Sequence, residues 1–123
     1  MTDVLIVLTN LPDEAAAHAL AERLVRERRA ACVNVLAPCR SVYRWQGAVE
    51  HAQETPLLIK TTRTGYAALE AAILAHHPYE LPEIVAVPVQ QGFAPYLAWV
   101  AGEVEPGPRT PPAAQTPPAL PKT

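Results

Sequence analysis

ACVNVLAPCRSVYRWQGAVEHAQETPLLIKTT, residues 31–62, holds strand after strand with no helix pattern between them. Ala31–Leu36 reads as a short strand around Val33 and Val35. Ser41–Gln46 alternates: Val42, Arg44 and Gln46 face one side, Tyr43 and Trp45 the other. Gln46-Gly47 turns the chain, and a further strand follows through Glu54–Thr62. On the N-terminal side, Asp3–Thr9 is a nearly continuous apolar run that reads as a buried central strand. Asn10-Leu11-Pro12-Asp13-Glu14 then starts a helix, with a capping residue, a proline in the first turn and two acids at the positive end of the dipole. Its apolar stripe is Ala17, Leu20, Ala21, Leu24 and Arg28, and it is expected to run to about Arg29. On the C-terminal side, Tyr66–His77 is a second helix, with Tyr66, Leu69, Ala72, Ile73 and His76 on one stripe, and Pro78 stops it. Ile84–Val89 is the last strand and Pro95–Val100 a short helical segment.

The order is βαββαβ, which predicts an α+β, ferredoxin-like fold with two helices on one face of an antiparallel sheet. Composition divides the chain. Of 14 prolines, 7 fall in residues 106–123, a stretch with no aromatic residue and only Ala113, Ala114, Ala119 and Leu120 to bury. It cannot offset its ordering entropy, so residues 1–105 are expected to form the domain and 106–123 a Pro-rich flexible tail. The tail holds only Arg109 and Lys122 among charged residues. The body therefore carries 8 basic against 12 acidic residues, a net of −4. That sign is wrong for gripping nucleic acid. Val4–Pro12 is too short to span a membrane and lacks a basic segment before it, so no membrane partner is expected and the cytoplasm is the expected compartment. Cys32 and Cys39 are then reduced thiols, and no C-x-x-C is present.

Several activities hosted by this architecture fail at their own residues. An RNA-recognition domain needs stacking aromatics on its central strands, and ACVNVL has none. The first loop carries no thiol for a copper chaperone. No phosphate-binding loop, G-x-S-x-G or H-E-x-x-H occurs, and no nucleophile–base pair is legible, so no enzyme is expected.

ACVNV (31–35), SVYRWQG (41–47), ETPLLIKTT (54–62), HPYELPEI (77–84) and YLAW (96–99) together resemble the CutA family, the divalent-cation tolerance proteins. The resemblance runs from about Val4 to Val100. It implies a homotrimer similar to the nitrogen-regulatory PII trimers, a link to copper tolerance, and an ability to bind copper or another divalent cation, with no cofactor needed for folding. Its metal candidates are the thiol Cys32, a soft ligand for Cu(I), and the imidazoles His76 and His77. The sequence departs from relatives with a proposed copper site at Thr9, where cysteine is frequent. Neighbouring helical residues point about 100° apart, so His76 and His77 reach one ion only if the helix frays or a neighbouring subunit helps. Otherwise they stabilise a helix C-terminus. Tyr43, Trp45 and Trp99, with Glu54, Lys60, Tyr79 and Glu80, are candidates for an intersubunit cleft. The aromatics serve equally as interface anchors. Lys60, in an apolar strand, needs a partner, and Glu54 and Glu80 are the expected ones. Such a cluster suits a small anionic metabolite, as in a PII-like sensor, or equally a structural ion pair; divalent-cation tolerance, the main expectation, rests on the family motifs and on His76 and His77.

Overall fold

The computed structural model describes residues 2–106. Apart from Pro106, the Pro-rich segment lies outside the described residues. The elements are β1 (Val4–Leu11), α1 (Glu14–Arg26), β2 (Cys32–Val35), β3 (Cys39–Trp45), β4 (Ala48–Thr62), α2 (Tyr66–His76), β5 (Val85–Pro88) and α3 (Ala94–Glu103). The sheet order is β2-β4-β1-β5, all pairs antiparallel, with β3 also on β4. β2 and β3 pair successive parts of β4, interrupted by Leu36-Ala37-Pro38. Taken as one broken strand they restore the βαββαβ order.

The chief difference from the sequence reading is β4. It begins at Ala48 rather than Glu54 and runs 15 residues. Gln46 (φ 49°) and Gly47 (φ 82°) both take positive φ, as a two-residue type I′ hairpin requires. Trp45 therefore pairs directly with Ala48. The polar run 48–53 is strand without a core face: it forms a β3–β4 arm that projects beyond β1, whose pairing stops at Leu11↔Thr55.

Alternation along β1 and β4 sends Leu5, Val7, Leu11, Leu57 and Ile59 to one face. There they meet Ala17, Leu20 and Leu24 of α1 and Leu69 and Ile73 of α2. α1 is capped by Asp13, whose carboxylate accepts from Ala16 N at 2.8 Å, so β1 continues past the expected start of the helix. It ends at Arg26, earlier than expected. Arg29 N donates to Leu24 O and Arg28 N to Val25 O, with Arg28 in the left-handed region at φ 60°. That is a Schellman ending with arginine in the glycine place. Arg28 thus leaves the apolar stripe. Its guanidinium donates to Glu103 O and Gly102 O at the end of α3, and Glu105 N donates to Arg28 O. α3 closes that end of the sheet, packing Val100 and Val104 on Val4 and Ala31. Among the described residues no helix is long and apolar enough to cross a membrane.

One core position is locally wrong. The Thr9 hydroxyl is buried and has no hydrogen-bond partner among the described residues. Removing it while keeping the shape removes a desolvation cost, so Thr9→Val should gain about 1 kcal/mol. Urea unfolding measures this; an unchanged or lower midpoint would show that the hydroxyl is satisfied.

Candidate functional site

Residues singled out from sequence fall into two separate groups. The first lies where the arm leaves the sheet. In the register of β3 on β4, Cys39 opposes Glu54, Tyr43 opposes Glu50 and Trp45 opposes Ala48, so these side chains share one face of the arm. Glu54 is buried, and the Tyr79 hydroxyl donates to its Oε2 at 2.9 Å. Burial first, and then the Glu54 carboxylate, push the Tyr79 hydroxyl well above the usual tyrosine range, with Tyr43 and Asp13 adding smaller pushes. The loop that carries Tyr79 is pinned by His77. Tyr79 N donates to His77 Nδ1 at 3.1 Å, which assigns the proton to Nε2, and Nε2 donates to Asn10 O at 2.7 Å. Asn10 Nδ2 in turn donates to Glu83 at 3.3 Å.

The second group lies under α3. Cys32 opposes Lys60 across β2 and β4. The Lys60 ammonium donates to Asn34 Oδ1 and lies 3.9 Å from Cys32 Sγ. Tyr96 sits over the same thiol; burial and the Cys32 contact raise its pKa. Its ring stands 5.6 Å from that of Trp99. The expected partners of Lys60 are thereby corrected. Glu54 is six residues along an extended strand, about 20 Å away, and is held by Tyr79. Glu80 is exposed in the loop after Tyr79.

The expected metal donors do not converge. His77 is buried with both ring nitrogens in hydrogen bonds, whereas His76 is exposed. It is the last residue of α2, and the chain becomes extended at His77. His76 borders a cavity of about 620 Å³ on the outer side of α1, with Ala16, Leu20, Arg23 and Glu27. Cys32 belongs to the other group. Among the described residues no three His, Cys, Asp or Glu side chains are placed to hold one ion. The donor set of a single chain therefore does not fit a closed metal centre.

Asn10, Asn34 and Tyr96 were not singled out from sequence as site residues, whereas Glu83 was, with Glu54, Lys60, Tyr79 and Glu80. Tyr96 had a legible signal, since it lies three residues before Trp99 on one helix face. The roles of Asn34 and Cys32 beside Lys60 depend on strand register, which the sequence does not print.

Comparison with known proteins agrees with this architecture. Residues 5–103 match the family model described as CutA1 divalent ion tolerance protein. A curated relative from Thermus thermophilus, named divalent-cation tolerance protein CutA, is 46% identical over 77% of this chain and 92% of its own. A solved structure from Nostoc, described as a PII-like protein CutA in apo form, superposes with a TM-score of 0.78 at 37% identity, over 84% of this chain and 99% of the other. Another, from Archaeoglobus fulgidus, is described as a periplasmic divalent cation tolerance protein. It has a TM-score of 0.80 at 31% identity, over 83% of this chain and 99% of the other.

Proposed function

The chain belongs to the CutA1 divalent ion tolerance family, and from that premise we propose that it acts in copper and divalent-cation tolerance as a cytoplasmic homotrimer that binds metal ions weakly. One observation carries the assembly. The sheet face opposite α1 and α2 presents Ile6, Leu8, Leu58, Val85 and Val87, paired across β4, β1 and β5. Val85 and Val87 are 47% and 50% exposed. A contiguous apolar face of this kind marks a protein contact. A second copy of the same face covers it, and three copies also cover the open strand edges. Cys32 and Cys39 are both unpaired thiols, which supports the cytoplasm. The family names describe tolerance rather than a reaction, and we assign no catalytic residue.

Metal enters this reading through exposed imidazole. His76 is solvent-facing at a helix C-terminus and so offers one ligand, to be completed by water or a neighbouring subunit. One or two ligands give weak binding. Calorimetric titration of Cu(II) into wild type and His76→Ala tests it. The variant should bind at least fivefold more weakly; unchanged binding would remove His76 from the ligand set. His77→Ala is a poorer probe, because it unpins Tyr79.

A second reading, the PII-like sensor of a small anion, is favoured by Lys60. Its ammonium lies beside Asn34 and Cys32 on a partly exposed part of the sheet. Thermal-shift screening against nucleotides and organic acids, on wild type and Lys60→Met, separates the two readings. Stabilisation lost in Lys60→Met would favour the sensor.

A further inference from the structure

We propose that the basic outer face of the β3–β4 arm docks on the Glu80–Glu83 loop of a second copy of this chain, joining copies head to tail. The inference rests on the homotrimer reading above and names charged contacts within that assembly.

The arm has two chemically distinct faces. Tyr43, Trp45, Glu50 and Glu54 share one. The register Arg40↔Gln53, Val42↔His51 and Arg44↔Val49 puts the other set of side chains on the opposite face. No carboxylate lies on that second face, and all six residues are exposed. Val42 and Val49 are 62% and 58% exposed. Arg40 and Arg44 are about 13 Å apart along the strand. Arg23 forms an ion pair with Glu27, and Arg26 with Glu22. Neither arm arginine takes part in one among the described residues.

The complementary pattern is present elsewhere on the same chain. Glu80 and Glu83 are exposed and flank Leu81, itself 39% exposed. Glu80 has no side-chain partner among the described residues, and Glu83 accepts only the long bond from Asn10. Basic–apolar–basic on the arm meets acidic–apolar–acidic on the loop.

The two patches cannot meet within one chain. The arm turns its aromatic face toward its own loop: Glu54, on the face shared by Tyr43 and Trp45, accepts a hydrogen bond from the Tyr79 hydroxyl at 2.9 Å. Arg40 and Arg44 therefore look away from their own Glu80. A contact between unlike patches is heterologous, so it propagates head to tail and must close into a ring or grow without end. A three-membered ring satisfies every copy. Exposed ion pairs contribute modestly each, so their role is to fix register and partner choice while the apolar sheet face supplies most of the affinity.

The test is a charge swap in the full chain, read by sedimentation velocity across a dilution series. Circular dichroism confirms that each variant is folded. R40E/R44E and E80R/E83R should each raise the subunit dissociation concentration at least tenfold in low salt. The effect should shrink in about 1 M NaCl, where screening reaches about 3 Å. The fourfold variant combining both should return to within about threefold of wild type. If either reversal disturbs folding, the neutral R40Q/R44Q should shift dissociation in the same direction by a smaller factor. Trimers unchanged by either reversal, or a swap without recovery, would overturn this docking and leave the homotrimer standing. A wild-type chain that is monomeric at every concentration would overturn the assembly itself.

Discussion

Val87→Asp combined with Leu58→Asp should leave the chain folded and make it monomeric. Both side chains lie on the sheet face that α1 and α2 do not cover. Leu58 opposes Leu8, and Val87 opposes Ile6. Neither belongs to the core of Leu57, Ile59 and their helical neighbours, so the fold loses little. Assembly loses much more. Burying a leucine or valine contributes about 1.5–3 kcal/mol. The variant forfeits both in each subunit and adds two carboxylates to an apolar face whose cation, Lys60, already bonds Asn34. Every 1.4 kcal/mol is tenfold in an equilibrium constant, so association should weaken by more than about a thousandfold. Light scattering should report one chain rather than three, and the melting temperature should stop rising with protein concentration. A variant that keeps the wild-type mass would remove this face from the interface.

How legible the molecule was in its sequence depends on the scale of the signal. The short apolar strands and the two amphipathic helices were readable because burial imposes its own period. The arm was not. Ala48–Gln53 has no core face to pattern it, so nothing alternates, and only the paired positive φ values of Gln46 and Gly47 commit it to a hairpin. The early end of α1 was hidden for a related reason. Arg28 occupies the left-handed position usually marked by glycine, and what holds it is a tertiary contact with α3 carbonyls 74 and 75 residues away in sequence.

The site shows the same division. The motif HPYELPEI announced that its residues matter, but not to what. His77 and Tyr79 form one network with Asn10 and Glu54, so the histidine positions a loop with both nitrogens. His76, one residue earlier, faces solvent. Lys60 was expected to pair with a carboxylate because an isolated charge in an apolar strand is costly. The register instead supplied the Asn34 carbonyl and left the ammonium partly hydrated, which is a sufficient solution for a half-buried cation. Which of two chemically sensible partners is used is a matter of register, and register emerges only when all the strands are in place.

Tyr79→Phe should destabilise the fold by about 2 kcal/mol at neutral pH. The Tyr79 hydroxyl donates to a carboxylate that is 1% exposed, and a hydrogen bond to a charged group is worth about 1.5–3 kcal/mol. Phenylalanine fills the same space, so the cost is that of the lost donor and not of a cavity. The pH dependence gives the effect a signature. Tyr79 and Tyr66 both hold their protons more tightly when folded; burial and then Glu70 push Tyr66 up to about 12. Above pH 10 the unfolded chain ionises its tyrosines first. It then binds fewer protons than the folded chain, and stability falls with rising pH. Wild type should therefore be level below about pH 10 and decline toward pH 12. Tyr79→Phe starts lower, but it has lost one of the groups responsible for the decline, leaving Tyr66 and Tyr96, so the two curves should converge in alkali. Glu54→Leu completes a cycle: in that background Tyr79→Phe should cost less than about 0.5 kcal/mol, because no buried carboxylate remains to be stranded. Urea unfolding of the four proteins at pH 8 and pH 11 measures all of this. A full cost of Tyr79→Phe in the Glu54→Leu background, or an alkaline decline as steep as that of wild type, would show that the Tyr79–Glu54 bond does not hold the loop to the arm.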